Sequence, residues 1–82
     1  MILKVLGAEA VINVATSFSN SANLVRVINL GVANVVNVAY SNGVVYANLT
    51  LSNTESIIIE KGLTDKIQGS DDMLAVPVAY RY

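Results

Sequence analysis

The sequence predicts an all-β domain, a small antiparallel β-sandwich or flattened barrel of six to seven short strands. Three observations carry this. Short runs rich in valine, isoleucine, tyrosine and threonine recur between Gly-, Asn- and Ser-containing breaks, at spacings typical of all-β domains. No stretch shows a strong helical period. Residues 34–51 combine alternating apolar positions with an Asn42-Gly43 pair, the strongest short-range hairpin signal.

Taken in order, residues 1–6 are apolar apart from Lys4 and read as a first strand or as an arm lying on a neighbour. Gly7-Ala8 breaks them. Residues 10–15 read as a strand because of their β-branched content, with a helix over 8–15 as the competing assignment. Residues 16–23 form a polar loop in which Phe18 stands alone, either packing the loop down or touching a partner. Residues 24–30 are the next strand. Paired with 34–40 around Gly31, they set Val27 opposite Val36 and Val25 opposite Val38, with Asn29 meeting Asn34. That register keeps Arg26 facing out, and a slip by one would turn it into a small core. Val25 and Val27 are therefore expected inside.

In residues 34–51 a two-residue type I′ turn at Asn42-Gly43 sets Ser41 opposite Val44. Tyr40 then faces Val45, Val38 faces Ala47, and Val36 faces Leu49. The other face pairs Ala39 with Tyr46, Asn37 with Asn48, and Val35 with Thr50. Residues 52–55 turn, and 56–61 return as a strand. Ile57-Ile58-Ile59 puts bulk on both of its faces, so both are expected to be covered, by a second sheet or another subunit. Residues 63–68 connect, with Ile67 pointing back. The last strand, 73–80, contains Pro77, which has no N–H. It should lie at an edge or turn that position to solvent.

Chain length limits this to one domain over 1–82, with 1–23 as first strands or an arm. The chemistry of catalysis is sparse. Cysteine and histidine are both missing, which removes thiol nucleophiles, Cys-based metal sites and the commonest general base. Ser17, Ser19 and Ser21 read as turn formers. Glu55 and Glu60 are an odd number apart along a strand and point to opposite faces. Asp71-Asp72 offers only two carboxylates to a cation, and the triplet beginning at Asn48 matches a glycosylation pattern in mid-strand, where it reads as coincidence. No catalytic residue, cofactor site or metal site is expected, and the chain reads as non-enzymatic.

Charge points toward assembly. Charged residues are 13% of the chain, against about 25% in average soluble domains, while hydrophobic residues make up 54% and nine asparagines supply much of the polarity. Surface so short of charge is expected to meet other protein copies, with a monomer coated by Asn, Ser and Thr as the alternative. The net charge of −1 and five scattered basic residues give no nucleic-acid footprint. No apolar run is long enough to span a bilayer as a helix. Gly7, Glu9 and Asn13 interrupt what would otherwise resemble a signal peptide, so export by that route is not expected.

Three blocks then carry a resemblance: residues 24–29 (Leu-Val-Arg-Val-Ile-Asn), 60–67 (Glu-Lys-Gly-Leu-Thr-Asp-Lys-Ile) and 74–80 (Leu-Ala-Val-Pro-Val-Ala-Tyr). In this order they resemble small virion structural proteins of tailed bacteriophages, particularly of marine cyanobacteria. The resemblance spans about residues 24–82 and rests on strand and turn signatures. It implies a many-copy particle component located in the virion, a capsid decoration (cement) protein or a neck or tail protein. Its partners would be other copies of itself and other virion proteins such as the major capsid protein. Candidate interface residues are Val35, Ala39, Val44 and Tyr46 on the outer hairpin face, with Ile58, Tyr80 and Tyr82. A different class is a small carbohydrate- or protein-binding module using Tyr40, Tyr46 or Tyr80 as platforms.

Overall fold

The computed structural model describes residues 2–13 and 23–81, residues 2 and 81 by their backbone alone. The expected strand end at 14–15, the loop with Phe18 and the terminal Tyr82 lie outside the described residues. Among the described residues eight strands are present: β1 (Ile2–Val5), β2 (Ala10–Val11), β3 (Leu24–Asn29), β4 (Asn34–Ala39), β5 (Val45–Leu51), β6 (Ser56–Glu60), β7 (Lys66–Gln68) and β8 (Met73–Arg81). They build two antiparallel sheets. One runs β1-β8-β3-β6, with β2 beside β1 along the same side of β8; the other runs β5-β4-β7. The all-β antiparallel prediction holds, and the two sheets enclose a common core as in a sandwich.

Alternation explains the core. Val25 and Val27 on β3, Ile59 on β6 and Met73 and Ala75 on β8 meet Val36 and Val38 on β4, Leu51 on β5 and Ile67 on β7, with Ile12 closing one end. Val25 and Val27 are inside as expected, but across the core from Val36 and Val38. The expected ladder between them does not form. Instead, β3 pairs with β6 and β8, while β4 pairs with β5 and β7.

The cause is Asn29. Its fully buried side chain donates from Nδ2 to the carbonyls of Val32 and Leu51, both at 2.9 Å, and its Oδ1 accepts from the Gly31 N–H at 3.0 Å. Its backbone N–H donates to Glu55 O at 3.0 Å, and its carbonyl accepts from Thr54 N–H at 2.7 Å. One residue thus satisfies both places where the chain steps between sheets, from β3 to β4 and from β5 to β6. That leaves Asn29 no freedom to sit opposite Asn34 in a hairpin.

The β4–β5 hairpin follows the expected register from Asn34 opposite Leu51 to Val38 opposite Ala47, then shifts by one residue, so that Ala39 faces Val45 rather than Tyr46. The turn is not type I′. Tyr40 faces Val44, with Tyr40 N–H to Val44 O and Gly43 N–H to Tyr40 O both at 2.9 Å, so the loop holds three residues, Ser41, Asn42 and Gly43. Only Gly43 takes a positive φ, at 92°. Asn42 stays at negative φ and uses its side chain, whose Oδ1 accepts the Val44 N–H at 3.0 Å. This is the three-residue hairpin with a bulge, in which Gly occupies the left-handed position.

Two other expectations change. β8 is not an edge strand; it lies between β3 and the β1/β2 pair, and Pro77 is buried. Its missing donor is tolerated because the neighbouring chain breaks between β1 and β2 beside it. Only the Pro77 carbonyl is used there, accepting the Leu6 N–H at 2.8 Å. Gly7 sits against the ring, where an added Cβ would come within 3.3 Å of Cγ. Residues 66–68, expected as connecting loop, form the short strand β7, although Ile67 does point into the core.

Candidate interaction surface

The outer face of the five-stranded sheet is the feature that stands out. Residues directly opposite one another share a face. Row by row across the strands, that face carries Leu3 beside Tyr80, then Val5, Val78, Leu24 and Glu60. Next come Val76, Arg26 and Ile58, and finally Val11, Leu74, Ile28 and Ser56. Ten of these side chains are apolar. Among the described residues no strand lies over them, since the other sheet covers the opposite face.

The side chains of β8 sharpen the point. Its two alternating sets are Met73, Ala75, Pro77 and Ala79 against Leu74, Val76, Val78 and Tyr80. The first set lies on the inner face, where Met73 and Ala75 enter the core, and the second, with its β-branched and aromatic groups, faces outward. Val76 and Val78 are 4% and 2% exposed yet do not belong to the central core cluster. Leu3, Val5, Gly7, Glu9, Arg26, Val76 and Val78 line a groove there of about 470 Å³. Arg26 lies half-buried in this apolar row, and among the described residues its guanidinium has no hydrogen-bond or ion-pair partner. Such a face is suited to a covering protein that brings apolar side chains and a carboxylate.

A second cluster forms at the hairpin tip. The Tyr40 and Tyr46 rings stack at 4.4 Å between centroids and 16° between planes, with both residues exposed. The Tyr46 hydroxyl donates to Asp65 Oδ2 at 2.5 Å, and the same oxygen accepts the Gly62 N–H at 3.1 Å. That bond, helped by burial and by the negative charge of Asp65, raises the Tyr46 pKa above its ordinary 10.0. Lys61 is buried beside them, its Nζ donating to Gly62 O at 3.1 Å and Leu63 O at 3.5 Å. Burial lowers its pKa and Asp65 partly opposes this. A groove of about 500 Å³ opens there between Asn23, Tyr46, Glu60, Lys61 and Gly62. Among the described residues no three potential metal-ligating side chains converge.

The expected interface residues do not form one patch. Val44 and Tyr46 are exposed at the hairpin tip, and Val35 is exposed on the outer face of the three-stranded sheet, in a groove with Asn34, Asn37 and Ser70. Ile58 and Tyr80 belong to the apolar face of the five-stranded sheet. Ala39 is corrected: it is 0% exposed and offers no contact surface. It is the shortest side chain in its row of the central strand β4, between Lys66 on β7 and the bulge that carries Tyr46. Tyr82 lies outside the described residues. Sequence reasoning missed Leu3, Val5, Val11, Leu24, Leu74, Val76 and Val78 as members of the outer face. The available signal was β8, whose bulkier alternate set cannot be left to water without cost. Comparison with protein-family models, curated proteins and solved structures finds no match to this chain.

Proposed function

We propose that this chain is a non-enzymatic structural component of a phage virion, a capsid decoration (cement) protein in the first place and a neck or tail component in the second. The observation that supports this most is the apolar outer face of the five-stranded sheet. A decoration protein works by being held on other proteins in many copies, and a sheet with two apolar faces provides one for its own core and one for a neighbour. The resemblance of residues 24–29, 60–67 and 74–80 to such proteins points the same way. Other copies of this chain and other virion proteins are the partners. Arg26, held in that face without a partner among the described residues, would pair with a carboxylate on the covering protein.

Co-sedimentation with purified particles tests the reading. The unaltered protein should pellet with them, and Val5→Lys or Ile58→Lys, each placing an amine on the apolar face, should stay in the supernatant while remaining folded. Failure of the unaltered protein to pellet, or equal pelleting of both variants, would sink it.

The stacked Tyr40–Tyr46 pair favours a second reading, a carbohydrate-binding module. Exposed aromatic rings beside the groove that includes Glu60 and Asn23 resemble the mix of apolar wall and convergent polar groups found in ligand sites. A glycan array probed with the protein and with Tyr46→Ala tests it. Binding that Tyr46→Ala abolishes is expected, and an array without signal disposes of it.

A further inference from the structure

β5 (Val45–Leu51) is the outermost strand of its sheet; among the described residues it is hydrogen-bonded to β4 alone. Edges of this length are normally blunted by charge, proline or a distortion along the strand. β5 has neither charge nor proline, and its single register shift lies at the hairpin tip, leaving residues 47–51 in continuous pairing. Its exposed side chains include Tyr46, Asn48 and Thr50. A second open edge follows in the chain. β6 starts after four intervening residues, 52–55, and is the outermost strand of the other sheet.

We infer that β5 is a self-pairing edge, to which a second copy of this chain adds its own β5 in antiparallel register about a two-fold axis through Asn48. A two-fold contact sets each residue against its own copy or its mirror in the strand, so self-pairing fails wherever that places like charges together. β5 has no charge to oppose it. Centring on Asn48 brings two side-chain amides together, each both donor and acceptor. It sets the small Ala47 against Leu49 and Tyr46 against Thr50, an aromatic against a β-branched residue. Because the axis passes through a residue pair, outward-facing side chains meet outward-facing ones. The two three-stranded sheets become one six-stranded sheet. The occupant is a second copy because the β5 edge is complementary to itself and offers no charge to select a foreign strand.

This contact is separate from the apolar outer face of the five-stranded sheet, and sedimentation equilibrium on single-site variants distinguishes the two. The unaltered protein should dimerise. Asn48→Lys and Asn48→Asp should each be monomeric, because each doubles a like charge at the axis. An equimolar mixture of the two should recover a dimer, an outcome that a merely misfolded variant would not give. Val5→Lys, altered only on the outer face, should dimerise normally. A strictly monomeric unaltered protein, or a dimer retained in both Asn48 variants, overturns the inference. A dimer lost in Val5→Lys but kept in Asn48→Lys overturns it as well, while supporting the outer face as an interface.

Discussion

Asn29 is the residue on which both crossings between the sheets depend. Its fully buried amide satisfies two carbonyls and one N–H, the Leu51 carbonyl among them buried, and a buried polar group left unpaired costs about 1–3 kcal/mol. Asn29→Ala should therefore lower unfolding free energy by roughly 2–4 kcal/mol in a denaturant titration, several such groups being orphaned at once. A loss below roughly 1 kcal/mol would mean that water or rearrangement replaces the amide. Tyr46 makes a different kind of prediction. Its bond to Asp65 raises its pKa, so the neutral phenol is favoured in the folded state. Any stability it contributes is present below pH 10.0 and lost as pH climbs through the raised folded value. Spectroscopic titration should show Tyr46 ionising above 10.0, and Asp65→Asn should lower it; a Tyr46 that Asp65→Asn leaves unmoved would contradict the bond.

At the scale of elements, the hairpin tip separates what the residues dictate from what the rest of the chain decides. Asn42-Gly43 does form a turn, and the pairing from residue 34 to 38 is as alternation requires. The loop size was not legible, because Asn can serve either by adopting positive φ or by lending its side chain to the backbone, and here it does the second. Gly43→Ala should consequently destabilise by about 1–2 kcal/mol, the cost of a Cβ at positive φ. Asn42→Ala should cost less, about 0.5–1.5 kcal/mol for one hydrogen bond at an exposed site. Equal large losses at both positions, measured by thermal unfolding, would argue for a two-residue turn instead. Thr54, at φ 63°, is the one non-glycine residue of the described chain in that region. Its carbonyl-facing N–H to Asn29 explains why the turn keeps that shape.

Sheet membership was less legible than strand position. Alternation showed which residues of β3 and β4 point inward, but nothing local distinguishes a neighbour in the same sheet from one across the core. Val25 and Val27 satisfy either arrangement with Val36 and Val38. The decision belongs to the buried amide of Asn29, whose partners are distant in sequence. Pro77 misled for a related reason. Its lost donor excludes a regular ladder on one side, and the chain meets this by interrupting the neighbouring strand at Gly7, not by moving β8 to the edge. β7 was hidden because three residues, one of them apolar, carry too short a pattern to separate from a loop.

For the whole molecule, the low charge visible in the sequence becomes two distinct surfaces. One is the apolar face of the five-stranded sheet, onto which β8 turns Leu74, Val76, Val78 and Tyr80. The other is the uncharged edge at β5. The sequence pointed to Ile58 and Tyr80 on the first, while Ala39 was misplaced because the hairpin alone does not reveal that β7 closes its other side. On the proposed reading, these surfaces place a small domain among many copies on a particle. The most direct measurement is a cryo-EM map of the virion in which this chain is traced. In that map Leu3, Val5, Ile58 and Tyr80 should lie against another protein, with a carboxylate near Arg26. A chain traced with that face open to solvent, or a particle that lacks the chain, would contradict it.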